Sequence, residues 1–125
     1  MAGPRWVRLD VDYFRNPKVL VAGRDARDLH LASICWAGQM LTDGHIPAAA
    51  VEALARDAGI VARARPSAVD HAIDAGLWVV NGAGFVLHDF VEMNGSRSEV
   101  EAVREQWRER QRRARAKRDH RGVTP

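Results

Sequence analysis

Two short apolar runs set around a glycine-rich link constrain this fold more than any other feature. Leu77-Trp78-Val79-Val80 and Phe85-Val86-Leu87-His88 flank Asn81-Gly82-Ala83-Gly84. β-Branched and aromatic residues suit a pleated strand, and glycine tolerates the backbone of a tight reversal, so the stretch predicts a β-hairpin. A lone two-stranded hairpin is marginal in water. Its apolar face has to be buried by the residues ahead of it, and those are helical in pattern.

After a turn at Asn16-Pro17, residues Pro17 to Ala22 can form a short turn of helix closed by Gly23. Asp25 is the expected N-cap of the next helix, with Asp28 in its acidic first turn. Leu29, Ile34, Trp36, Met40 and Leu41 then give a broad apolar face at helical spacing, to about Thr42, and Asp43-Gly44 stops it. Pro47 stands at the first turn of another helix, with Val51, Leu54 and Ala55 facing in and Gly59 at its end. A loop through Arg63 and Arg65 reaches Pro66-Ser67 and a third helix, apolar at Val69, Ala72 and Ile73 and closed by Ala75-Gly76.

At the N-terminus Trp6-Val7-Arg8-Leu9 alternates like a short strand. The expected order is strand, helix, a brief extended piece at Ile46, helix, helix, hairpin. That is an α+β chain, mainly α. A helix-turn-helix followed by a hairpin is the winged-helix plan, with the Ser67–Ala75 helix in the recognition position and the hairpin as wing. Trp36, Leu54, Ile73, Trp78 and Phe85 are the expected core, with Trp6 and the lone cysteine, Cys35, as further filling.

A polar break over Val91 to Gly95 separates this domain, residues 1–95, from the C-terminal segment. Ser96 with Glu99 has capping-box spacing. Residues 96–121 are rich in Glu, Arg, Ala and Gln and predict a long arginine-rich helix, with a disordered end over 122–125. Glu101, Glu105 and Glu109 stand ahead of Arg104, Arg108, Arg112 and Arg113 at helical spacings, the favourable order for pairing. Val100, Val103 and Trp107 share one stripe, which fades after Trp107. These three are the expected interface of a homodimer.

The charge is divided along the chain. From Ser96 onward there are ten Lys and Arg against five Asp and Glu; before it there are nine against eleven. A polyanion would be felt first by the C-terminal helix. Seven of those cations (Arg110, Arg112, Arg113, Arg115, Lys117, Arg118 and Arg121) face Asp119 alone among acids from Arg110 onward. Such a density neutralises phosphates with little regard to base sequence. The helix ahead of the hairpin offers less. Arg63 and Arg65 precede it and Ser67 and His71 lie on it, but Asp70 and Asp74 would repel a phosphate backbone, and residues 81–84 carry no cation.

Other chemistries find little support. One cysteine cannot crosslink the chain to itself, and the five histidines show no metal-ligand spacing. There is no phosphate-binding glycine loop and no G-x-S-x-G, so no catalytic residue, cofactor or metal is expected. No apolar run reaches the ~20 residues that span a bilayer, and the first ten residues do not read as a signal peptide. A cytoplasmic, nucleoid-associated protein is the expectation.

The chain also resembles a family. Trp6-Val7-Arg8-Leu9-Asp10-Val11-Asp12-Tyr13-Phe14, Asn16-Pro17-Lys18, Gly76-Leu77-Trp78, and Leu87-His88-Asp89-Phe90 through Ser96-Arg97 are similar to the N-terminal winged-helix domains of actinobacterial phage and prophage replication-initiation proteins. Those are replisome organisers of DnaD-like type. The likeness covers roughly residues 6–121 and none of its motifs is catalytic. It implies binding to double-stranded DNA in replication initiation or transcriptional control. Many replication relatives continue into a second domain, and a loader-binding or helicase-binding module of that kind is expected to be absent from this chain. The alternative is an adaptor whose body binds a host replication or transcription protein.

Overall fold

The computed structural model describes residues 5–123, and side chains as far as Asp119. They fall into two compact units divided between Gly95 and Ser96. The fold is mainly helical with one small antiparallel sheet.

In the first unit α1 (Pro17–Ala22) begins where the Asn16 side chain accepts the Lys18 N–H at 2.9 Å, and Pro17 occupies a position that needs no donor. The long helix α2 (Arg24–Met40) ends at Leu41, which adopts left-handed backbone at φ 52° and returns its N–H to the Ala37 carbonyl. Strand β1 (His45–Pro47) leads through a 3-10 turn into α3 (Val51–Asp57), and a second 3-10 turn leads into α4 (Arg65–Asp74). The hairpin comes next as β2 (Trp78–Asn81) and β3 (Gly84–Leu87), joined by Gly82 and Ala83. A short helix, α5 (Phe90–Asn94), closes the unit.

The strands lie in the order β1-β3-β2, all antiparallel, with Ile46 opposite Phe85 and Trp78 opposite Leu87. Leu29, Ala37, Ile46, Leu54, Ala72 and Leu87 bring one face of the sheet and three helices into a common core. Trp78 is the largest side chain buried there, at 1% exposure. Its indole N–H donates to Ser33 Oγ at 3.1 Å, and that hydroxyl donates to the His30 carbonyl at 2.7 Å. Both polar groups are buried and both are satisfied, which offsets their desolvation.

Several expectations need correcting. Trp6–Leu9 forms no strand; the sheet is made of β1, β3 and β2 without it. Trp6 is accordingly exposed, at 76%, rather than core; Val7 takes the packing role, seated against Gly38. Cys35 and Met40 are exposed as well. The buried positions of α2 include Ala26, Leu29, His30, Ser33, Ile34 and Ala37, and Cys35 lies on the far side of that stripe. Trp36, Ile73 and Phe85 pack on the core only in part. Asp25 sits inside the first turn of α2; the N-cap is Gly23, which makes no side-chain cap bond. Of the polar break expected over Val91 to Gly95, residues 91–94 are helical, and α4 starts at Arg65 rather than Ser67.

The second unit is one helix, α6 (Arg97–Val123), of about 40 Å at ~1.5 Å per residue. Ser96 Oγ accepts the Glu99 N–H at 3.2 Å, the serine half of the anticipated capping box. The helix takes in residues 122 and 123 of the end expected to be disordered; residues 124 and 125 lie outside those described. Among the described residues no helix is long and apolar enough to cross a membrane.

Candidate nucleic-acid interface

The two groups of cations singled out in the sequence meet different fates. Arg65 is held by the body. Its Nε donates to the Ile60 carbonyl at 2.9 Å and its Nη1 pairs with Glu52 at 2.6 Å, leaving the side chain 20% exposed. It ties the start of α4 to α3 and to the loop between them. Its fork of donors is occupied by this structural task, which removes it from the candidate interface. Arg63 is exposed in the 3-10 turn just before.

Helix α4 buries Ala68 and Ala72 and presents Ser67, Asp70, His71 and Asp74 outward. Ser67 and His71 are thus brought to one exposed face, together with two carboxylates at i,i+4 spacing. That face is net negative near neutral pH, a poor match for phosphate. The hairpin tip adds no cation, and Val79 and Val80 of β2 are both more than half exposed.

Helix α6 supplies what α4 lacks. Arg108 and Arg112 pair with Glu105, at 3.2 and 3.5 Å, and Glu109 takes Arg112 as well as Arg113, the latter at 3.5 Å. Arg97 pairs with Glu101 at 2.9 Å. These exposed pairs each contribute little, of the order of 0.3–0.5 kcal/mol, and hold the middle of the helix. Among and beyond them, Arg110, Arg115, Lys117 and Arg118 are exposed with no carboxylate partner among the described residues. The side chain of Arg121 lies outside those described. Arg110, Arg113 and Lys117 succeed one another at spacings of three and four, so they share a stripe, while Arg112, Arg115 and Arg118 lie on the remaining sides. The cations therefore surround the helix.

Ahead of this basic part, Val100 is half-buried, while Val103 and Trp107 are exposed at 66% and 57%. The scattered N-terminal cations are mostly occupied or isolated. Arg15 pairs with Asp12 at 3.3 Å, and Arg27 pairs with Asp28 and lies 5.2 Å from the centre of the Phe14 ring.

One contact between distant positions escapes a reading of the sequence. Tyr13 Oη and His30 Nδ1 lie 2.7 Å apart in the interior. Burial pushes the Tyr13 phenol above its ordinary range, and burial together with the charge of His88 holds the His30 imidazole down at about 4. Only the tertiary fold brings residues 13 and 30 together, so no local spacing announces them.

Comparison with family models, with curated proteins and with solved structures gives no match for this chain.

Proposed function

We propose that this chain is a DNA-binding winged-helix protein of phage or prophage type, acting in replication initiation or transcriptional control. The observation that carries the reading is the set of exposed, unpaired cations Arg110, Arg115, Lys117 and Arg118, which run from the middle of helix α6 towards its end. Support for the winged-helix part comes from connectivity. Helix α2, strand β1, helices α3 and α4, then strands β2 and β3 succeed one another with β3 central in the sheet. The likeness of Trp6 to Phe14 and of Leu87 to Phe90 to phage replication-initiation domains points the same way.

In this reading α6 holds the duplex by its phosphates and contributes affinity rather than base selection. Arg63 contributes a contact at the edge of the body, and Ser67 and His71 add only minor ones because Asp70 and Asp74 share their face; the protein works in the cytoplasm at the nucleoid, without catalysis or cofactor, as a homodimer joined through Val100, Val103 and Trp107. A second reading is favoured by Asp70 and Asp74 on the outward face of α4 and by Val79 and Val80 on the hairpin. These make the body a contact for a host replication or transcription protein while the helix touches DNA.

Fluorescence anisotropy on duplex DNA across a salt series tests the proposal. Each neutralised phosphate contributes ~0.9 to the slope of log affinity against log salt, so deleting residues 110–125 should flatten it by about 3 to 4. Arg65→Ala should leave the slope at the parental value. A truncated protein with the parental slope rejects α6 as the electrostatic contact.

A further inference from the structure

The first unit carries a cavity of about 440 Å³ that DNA binding leaves unused. Its floor is apolar, made by Val19 of α1, Ile34 of α2, Leu77 and Leu87 at one end of the hairpin, and Phe90 of α5. Volume and lining of this kind belong to small-molecule sites, in which an apolar bed is joined by a few placed polar groups.

The charges around it select no ion. Arg8, Arg15 and Lys18 stand on the rim against Asp10, Asp12 and Asp89, three of each sign and all exposed to water. A charged occupant would leave water for the apolar floor with no net countercharge to receive it, which is unfavourable. The two side-chain amides are engaged as well, Asn16 by the Lys18 N–H at 2.9 Å and Asn94 by the Arg8 N–H at 2.6 Å.

His30 is the polar group left over. It lines the cavity at 7% exposure; its Nδ1 lies 2.7 Å from the Tyr13 hydroxyl, and its Nε2 has no partner among the described residues. Among those residues the one polar side-chain atom sealed from solvent without a partner is Thr42 Oγ1, so Nε2 keeps an opening, and the space this ring lines is the cavity. Burial keeps the ring neutral near neutral pH. The Tyr13–His30 bond can run in either direction. When the tyrosine donates, Nε2 carries the ring hydrogen and is a donor; when Nδ1 donates, Nε2 is an acceptor. A carbonyl matches only the first case and an ammonium only the second. A hydroxyl is donor and acceptor at once, and matches both.

We propose that this cavity binds a small uncharged alcohol or phenol, its apolar body on Ile34, Leu77, Leu87 and Phe90 and its hydroxyl on His30 Nε2. The inference is independent of the DNA reading, because it is tested with no nucleic acid present.

The experiment uses the full chain near neutral pH with 4-propylphenol as probe. Propylbenzene, the same body without the hydroxyl, and 4-propylbenzoate, the same body with a charge, are the controls. Backbone amide shifts read affinity, and nitrogen shifts read the His30 ring. Saturable binding of the phenol is expected, with both controls about tenfold weaker and the Nε2 resonance of His30 moving on saturation. His30→Phe keeps a ring but removes the nitrogen, and should bring the phenol down to the level of propylbenzene. Should that variant not fold, Met93→Trp, a change at the partly exposed mouth, should obstruct the cavity and weaken the phenol and propylbenzene alike. Lys18→Gln should leave the phenol within about twofold of its parental affinity. Failure of the phenol to saturate by about 3 mM, a control that binds as tightly, or a motionless His30 resonance each overturns the proposal. So does a phenol preference that survives in His30→Phe, parental affinity in Met93→Trp, or a loss in Lys18→Gln, which would place the ligand on the rim charge.

Discussion

His30 is held neutral by its surroundings, and this sets how the first unit responds to acid. Its pKa of about 4 lies well below the ordinary 6.5, chiefly because burial disfavours the charged ring, with the nearby charge of His88 adding to it. Between those two values the unfolded chain binds a proton that the folded chain refuses. Stability is therefore fully present above about pH 6.5 and declines as the pH falls towards 4, by about 3 kcal/mol at most from this residue. Urea titrations at about pH 7 and about pH 4.5 should show the midpoint falling in the parent and falling much less in His30→Gln. A parent midpoint that does not move would mean that the ring is charged, or free to become so, in the folded state. The residues around His30 also show why reading α2 by apolarity alone fell short. Ile34, Cys35 and Trp36 cover more than half a turn of helix, so they cannot all face inward, and the core took His30 and Ser33 instead. Two polar residues fit there because Tyr13 and Trp78, far off in sequence, satisfy them.

Strands and helices differed in how openly the sequence declared them. The hairpin was legible because alternation, β-branching and glycine spacing all agree within one short window. The first four helices were legible in outline, since proline, glycine and asparagine mark their ends. The third strand was legible only as an extended residue at Ile46, because three residues are too few for a period. Its place beside β3 depends on Gly84. A Cβ at that position would run into the Ile46 carbonyl oxygen and press on Pro47 Cα at 3.1 Å, both of them backbone, which cannot swing aside. Gly84→Ala should therefore pull β1 from β3 and cost about 1–3 kcal/mol, as an overpacking change does. Chemical denaturation measures the loss, and amide exchange at Phe85 should accelerate with it. A Gly84→Ala variant as stable as the parent would show that β1 can shift without penalty. Of the candidate site, α6 was legible as a basic helix because charge is a property of composition. The engagement of Arg65 was not, since its partners Ile60 and Glu52 are chosen by the turn between α3 and α4.

For the whole molecule the charge division and the apolar stripe of α6 belong to one argument. A helix with its cations gathered past Arg110 can bind phosphates, but one copy offers few contacts that other ions do not also offer. Val103 and Trp107 are exposed just ahead of them, at spacings that put Val100, Val103 and Trp107 on a single stripe. The stripe is shorter than the ~3–4 heptads of a self-sufficient coiled coil. Two copies related by a twofold axis would nevertheless cover each other's tryptophans and bring two sets of cations to one duplex, which raises avidity with no new kind of contact. The parent is expected to sediment as a dimer at tens of micromolar, and Trp107→Ala to raise its dissociation constant about a hundredfold, the usual weight of a central aromatic anchor. Affinity for long duplexes should fall in the same variant although none of its cations is lost. A parent that is monomeric throughout that range removes the dimer, and a dimer indifferent to Trp107→Ala moves the interface elsewhere, with the exposed Val79 and Val80 of β2 the next residues to replace.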